Sequence, residues 1–271
     1  MEAEVVTGAG RFATVAAEAP SGARVPVEVR VTVEDPFRAY RRAREDTGGA
    51  YLATTGGQSG WGYFGVDTVD VLEVDPEDGS SLAALSAWLA AEDLHRGDCE
   101  VPFPCGAIGW LSYDVARELE ELPDSAERDR DLPRVQVASY ETLAAWEEPR
   151  DGAVTLRITS CPRVEAPEEP EAVSEAYHRG REQAMGLARR AVEGDPGVDD
   201  PQVGTETPGT ARFESDCTRE AFADRVRRVK AYVRDGDTFQ ANVSQRLRAP
   251  AAVHPVAAFD ALRGVNPAPY S

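Results

Sequence analysis

Apolar residues follow two rhythms along this chain, one of period two and one close to 3.6, and the changes between them mark out its elements. In the first 34 residues, Arg11 to Ala17 and Val25 to Val33 are runs rich in valine and small apolar residues, separated by Ala19 to Gly22; this predicts a hairpin. Asp35 and Pro36 then open a helix through Arg44, with Asp35 at the cap and Phe37, Tyr40 and Arg41 inward. Strands are predicted from Tyr51 to Thr54 and from Gly62 to Val74. A helix follows from Ser81 to Leu94, with Leu82, Leu85, Trp88 and Leu89 on its apolar side. Pro102 to Tyr113 reads as a strand region leading into a helix near Val115 to Leu122, and Asp124 to Asp131 as a charged loop. Arg134 to Trp146 and Val154 to Thr159 read as a strand pair around the turn Pro149 to Gly152. A further helix is predicted from Ser174 to Glu193, between the acidic VEAPEEPEAV and the polar spacer GDPGVDDPQVGTETPGT.

Beyond the spacer the pattern sharpens. Thr218 caps a helix whose stripe is Phe222, Val226, Val229 and Val233, and Gly236 ends it. From Thr238 to Leu247 the period becomes two: Phe239, Ala241, Val243 and Leu247 point one way, Gln240, Asn242, Ser244 and Arg246 the other. The second face carries amides and hydroxyls, suited to hydrogen bonding a ligand or a neighbouring strand. His254 and Pro255 open a short helix with Val256, Phe259 and Leu262 on one side, and the chain closes on VNPAPYS. Alternating strands joined by short turns predict an α+β fold, with antiparallel curved sheets and outer helices. The organisation is read as one domain at 1–163, a connecting segment with a helix at 164–212, and the start of a second, truncated domain at 213–271.

Charge narrows the function. The formal net charge is -19, and Lys230 is the only lysine. Such a chain repels nucleic acid and anionic membranes and is suited to staying hydrated in high salt. The amino terminus lacks a charged region followed by an apolar run, and no stretch reaches membrane-spanning length, so a cytoplasmic setting is expected. Cys99, Cys105, Cys161 and Cys217 contain no CxxC pair, and His95, Cys99 and Cys105 match no zinc spacing; no disulfide framework and no metal are assigned. TTGGQSGWG is rich in glycine, but strand formers follow it where a phosphate loop needs a helix amino terminus, so it is read as a hairpin loop.

Two linked stretches carry a resemblance. GDTFQANVSQRL and NPAPYS, joined by a short helix, resemble the start of the chorismate-binding domain shared by aminodeoxychorismate synthase component I and anthranilate synthase component I. Upstream, GAIGWLSYDVARELEELP is similar to the Gly-Tyr-x-Gly-Tyr-Asp segment of the same enzymes, with Trp110 and Ser112 in place of the first Tyr and second Gly. The resemblance implies chorismate as substrate and ammonia from a glutamine amidotransferase subunit. It also implies Mg2+ and acid-base groups lying beyond NPAPYS, so that no catalytic residue falls in this stretch and the chain alone is expected to be inactive. Asn266, Pro267, Pro269, Tyr270 and Ser271 would border a small-molecule site near Leu52 and Thr54, while Gln240 and Asn242 would face the interior of the second domain. The plain alternative for Asn266 and its prolines is a turn after the helix.

Where the family carries Leu-Leu-Glu-Ser in an effector or structural tryptophan site, this chain has Tyr51-Leu52-Ala53-Thr54, with no glutamate to pair with an ammonium group. That loss, together with QANVSQRL and the terminal Ser271, favours the aminodeoxychorismate branch, which serves p-aminobenzoate and folate synthesis. The alternatives are anthranilate synthase, on the route to tryptophan, and a non-enzymatic truncated paralogue that binds a glutaminase. An isochorismate or salicylate synthase comes third.

Overall fold

The computed structural model describes residues 2–44, 48–54, 59–123, 130–197, 213–249 and 254–266. In chain order its elements are β1 (Ala3–Val5), α1 (Ala9–Ala17), β2 (Ala23–Arg24), β3 (Val27–Val33), α2 (Pro36–Arg44), β4 (Ala50–Leu52), β5 (Gly60–Gly65), β6 (Asp70–Val74), α3 (Ser81–Ala90) and β7 (Gly106–Leu111). A 3-10 turn (Tyr113–Glu118) precedes β8 (Val135–Tyr140), β9 (Thr142–Glu148), β10 (Val154–Ser160), β11 (Arg163–Val164) and α4 (Pro170–Glu193). The last elements are β12 (Glu214–Ser215), α5 (Arg219–Asp235), β13 (Leu247–Arg248) and α6 (Pro255–Val265). Two compact units result: residues 1–198 with 263–271, and residues 199–262.

The first unit is built on a six-stranded sheet in the order β1-β3-β10-β9-β5-β4, with a three-stranded sheet β6-β8-β7 and a short pair β11-β2. Every strand pairing is antiparallel, as an α+β chain of alternating strands and short turns requires. Period two does its work in β3: Val27, Val29, Val31 and Val33 are all buried, and Ile158 and Leu156 of β10 stand opposite Val29 and Val31. α4 lies against β3 and β10 and also packs on α1 and α2. Its inward residues include Val173, Ala176, Tyr177, Ala184, Leu187, Ala188 and Ala191. On the smaller sheet, Leu82, Leu85 and Trp88 of α3 pack against Val74, Val135 and Val137.

Several predicted elements differ. Arg11 to Ala17 is not a strand but most of α1: Phe12 and Ala16, four residues apart, are fully buried with Val15 beside them. An alanine-rich run with that spacing favours a helix over a strand. Gly62 to Val74 is two strands that belong to different sheets, and so is Arg134 to Trp146, which changes sheet at Glu141. The residues at the change, Asp67 and Thr68 in the first run and Glu141 in the second, also suit the outward positions of a continuous strand, so alternation alone shows no break. The helix near Val115 to Leu122 is the 3-10 turn, and α4 begins at Pro170, four residues before the predicted start. The loop at 55–58, within TTGGQSGWG, and residues 124–129 lie outside the described residues.

In the second unit α5 is as predicted: the Thr218 hydroxyl accepts from the Ala221 N–H (3.2 Å), and Gly236 closes it in the left-handed region at φ 87. Phe222, Val226 and Val229 are half-buried and Val233 is 42% exposed. The predicted strand from Thr238 to Leu247 is a correction. Only its end is paired, with Leu247 and Arg248 opposite Ser215 and Glu214, and 238–246 has no regular secondary structure. A strand holds its geometry through ladder bonds, and the partner here is two residues long.

Candidate functional site

The residues that sequence reasoning places around a small-molecule site fall on β4 and at the end of α6. Tyr51 and Leu52 sit in β4, opposite Phe64 and Tyr63 of β5. Leu52 is half-buried, and Thr54 is 5% exposed with its hydroxyl donated to the Trp61 carbonyl (3.1 Å). Tyr51 stacks on Trp146 with centroids 5.4 Å apart and meets Phe37 edge-on at 5.0 Å. Tyr40 joins from α2, 5.5 Å from Tyr51 and 5.9 Å from Phe64. Gly62 makes room for this cluster: it lies opposite Trp146 across the β5–β9 pair, and a Cβ there would overlap the indole. The last glycine of TTGGQSGWG therefore has a packing role.

A charged cluster borders these rings. Asp35 caps α2 by accepting from the Arg38 N–H (2.9 Å) and takes Arg150 Nη2 at 3.0 Å; Arg263 Nη2 stands 3.7 Å away. The Arg263 guanidinium also covers the Phe37 ring at 4.6 Å, a cation–π contact. Burial opposes the Asp35 charge, yet the Arg38 N–H and the charges of Arg263 and Arg150 hold its carboxyl below the ordinary range. Burial pushes the Tyr51 phenol well up, with the Arg263 charge working against it, so it stays a neutral donor. Arg263 thus brings the residues just before Asn266 to the ring cluster that contains Tyr51, one residue from Leu52.

The other predicted residues are placed less closely. Asn266 is exposed at the end of α6. Pro267, Pro269, Tyr270 and Ser271 lie outside the described residues. Gln240 and Asn242 are exposed in the irregular stretch of the second unit, where the Gln240 carbonyl accepts from the Thr238 hydroxyl (3.0 Å). Sequence reasoning missed Asp35, Arg150, Arg263 and Trp146 as partners. The cap at Asp35 was legible, but nothing local ties it to an arginine more than two hundred residues on.

The segment GAIGWLSYDVARELEELP forms β7 and the 3-10 turn. Ser112 caps that turn, Asp114 pairs with Arg117 at 3.0 Å, and Glu118 reaches back to the start of α3. Its charged residues fasten elements together. Among the described residues no group of three His, Cys, Asp or Glu is placed to hold a metal. These residues do not fit the Mg2+ that the resemblance implies. Among them, too, no helix is long and apolar enough to cross a membrane.

Comparison with known proteins fixes the family. The chain matches the chorismate binding enzyme family over residues 48–271. It is 67% identical over 267 residues to anthranilate synthase component 1 1 of Haloarcula marismortui, covering 98% of this chain and 53% of that protein. Over 207 residues it is 36% identical to anthranilate synthase component 1 of Thermus thermophilus, covering 76% of this chain and 40% of that one. Over 194 residues it is 27% identical to aminodeoxychorismate synthase component 1 of Bacillus subtilis, covering 72% and 38%. The chain spans about half the length of the Haloarcula protein. With the family match running from just before β4 through α6 to Ser271, the chain belongs to the family of chorismate binding enzymes.

Proposed function

We propose that this chain is the amino-terminal portion of an anthranilate synthase component 1, which aminates chorismate and releases pyruvate to give anthranilate. One observation carries the reading: 67% identity sustained along 98% of the chain to a protein of that name. It supports this reading over the aminodeoxychorismate branch favoured by QANVSQRL, Ser271 and the missing glutamate. Those are differences at a few positions, and the similarity to the named aminodeoxychorismate synthase is 27% over 72% of the chain. In this reading the first unit is a scaffold whose ring cluster and Asp35 seat the segment leading to Asn266. The magnesium site and the acid-base groups belong to the rest of the full-length enzyme, and ammonia comes from a glutamine amidotransferase component.

The two branches differ in atoms. Anthranilate formation places ammonia nitrogen beside the ring carboxylate and expels the enolpyruvyl group as pyruvate; aminodeoxychorismate formation exchanges the ring hydroxyl for the amine and keeps that group. The full-length enzyme, given chorismate, Mg2+ and an ammonium salt, is therefore expected to release one pyruvate for each molecule aminated, with anthranilate fluorescence rising in step. Glutamine is expected to replace ammonium only after the amidotransferase component is added. Amination without pyruvate release would return the assignment to the aminodeoxychorismate branch, and turnover of chorismate without nitrogen incorporation would refute both.

A further inference from the structure

Two buried thiols, Cys105 and Cys161, lie on neighbouring segments of the first unit. Thr159 donates its hydroxyl to the Pro104 carbonyl, and Cys161 follows two residues further on, just past the end of β10. On the other side, Gly106 pairs with Tyr140, while the Cys161 N–H donates to the Glu141 carbonyl at 2.9 Å. Residues 104–106 therefore run across residues 159–161, which sets Cys105 beside Cys161. Both are free cysteines, Cys161 fully buried and Cys105 9% exposed.

Their surroundings make them unequal. Cys105 lines a cavity of about 320 Å³ together with Arg24, Trp88, Glu92 and Glu141, and Cys161 does not. A small solute thus has a route to one sulfur only. Arg24, 9% exposed, extends its guanidinium into this corner and donates to the Cys161 carbonyl at 3.0 Å, while Glu92 and Glu141 hold it in place. The neighbouring Cys161 thiol, helped by the Arg24 charge and opposed by burial, draws the Cys105 thiol below its ordinary value, whereas burial pushes Cys161 up. The accessible sulfur is also the better nucleophile.

We propose that Cys105 and Cys161 are an oxidisable dithiol, in which Cys105 reacts first with a small peroxide and Cys161 then closes a disulfide. In the first step the Cys105 thiolate attacks one oxygen of hydrogen peroxide; the O–O bond breaks, hydroxide leaves, and Cys105 becomes a sulfenic acid. In the second, the Cys161 sulfur attacks the Cys105 sulfur, the S–O bond breaks, and the departing hydroxide takes up the thiol proton as water. Two thiols lose two electrons and one peroxide becomes two waters. The bridge ties the segment entering β7 to the end of β10, joining the three-stranded to the six-stranded sheet.

Titrating the purified protein with hydrogen peroxide, alkylating and mapping peptides tests this directly. The expected result is a linked peptide pair containing Cys105 and Cys161, loss of two of the four free thiols, a mass lower by two hydrogens and full reversal by dithiothreitol. Cys161→Ser is expected to leave a sulfenic acid on Cys105 that dimedone traps, and Cys105→Ser to leave Cys161 reduced at the same dose. The wild-type peptide map decides the matter even if a variant misfolds. A bridge through Cys99 or Cys217, or sulfinic acid on Cys105 with Cys161 still a free thiol, would overturn the proposal.

Discussion

Glu118 gathers donors from two elements onto one carboxylate. Oε1 accepts from the Ser81 N–H at 2.8 Å and faces Arg134 Nη1 at 3.4 Å; Oε2 accepts from the Ser80 hydroxyl at 2.9 Å and the Leu82 N–H at 3.2 Å. These N–H groups belong to the first turn of α3, which lack partners inside the helix and sit at the positive end of its dipole. With its side chain 10% exposed, the Ser81 hydroxyl beside it, opposed by burial and seconded by these N–H groups, draws Glu118 from its ordinary 4.5 to about 2. A depressed carboxyl stabilises the fold above its unfolded value, and that contribution is lost as pH falls through the folded one. Glu118→Gln is therefore expected to cost about 1–2 kcal/mol near neutral pH. In urea melts the gap between variant and wild type should narrow as pH drops from about 4.5 to about 2; a gap independent of pH would remove the carboxylate from this role. Caps made within a few residues, at Asp35, Thr218 and Gly236, were legible in the sequence because donor and acceptor share one turn. The Glu118 clamp was not, since its donors in α3 and its cap lie more than thirty residues upstream and spacing carries no information about them.

At the scale of elements, the sequence displays faces and hides partners. α4 shows this: its helical period is plain, but whether the helix bridges domains or completes a core depends on what receives its apolar stripe. That receiver is the surface of β3 and β10, and Ser160 fixes the register by donating to Gln183 Oε1 (2.9 Å) while accepting from the Thr142 hydroxyl (2.9 Å). Leu187, 1% exposed on that stripe, reports on the packing. Leu187→Ala is expected to lower stability by about 2–5 kcal/mol, the cost of a core cavity, as a shift in the urea midpoint with unchanged slope. A helix acting only as a linker would show a change within about 0.5 kcal/mol. The irregular 238–246 stretch is the converse. Its alternation has no paired strand over 238–246 among the described residues, and alternation alone does not hold a strand.

For the whole chain the dominant quantity is charge. Forty-eight acidic residues face 29 basic ones, and the -19 that remains favours expansion through self-repulsion. The fold answers locally with arginine. Glu28, buried between β-strand neighbours, takes both arms of Arg157 (2.8 and 3.0 Å) and Arg30 Nε (2.7 Å), so two cations that face each other across the β3–β10 pair are held by one anion. Arg24 does the same between Glu92 and Glu141. The Glu28–Arg157 and Arg24–Glu141 pairs are short and largely shielded from solvent, and salt weakens them little; the repulsion among exposed carboxylates acts over longer distances through water, and salt removes it. Raising NaCl from about 0.1 M to about 1 M shortens the screening length from about 10 Å to about 3 Å. The melting temperature is therefore expected to rise over that range, and Glu28→Gln, which breaks a shielded pair, to lower it by a similar amount at both ends. If stability instead fell with salt, attraction between exposed charges would outweigh their repulsion. The excess of carboxylates would then not be what limits this fold.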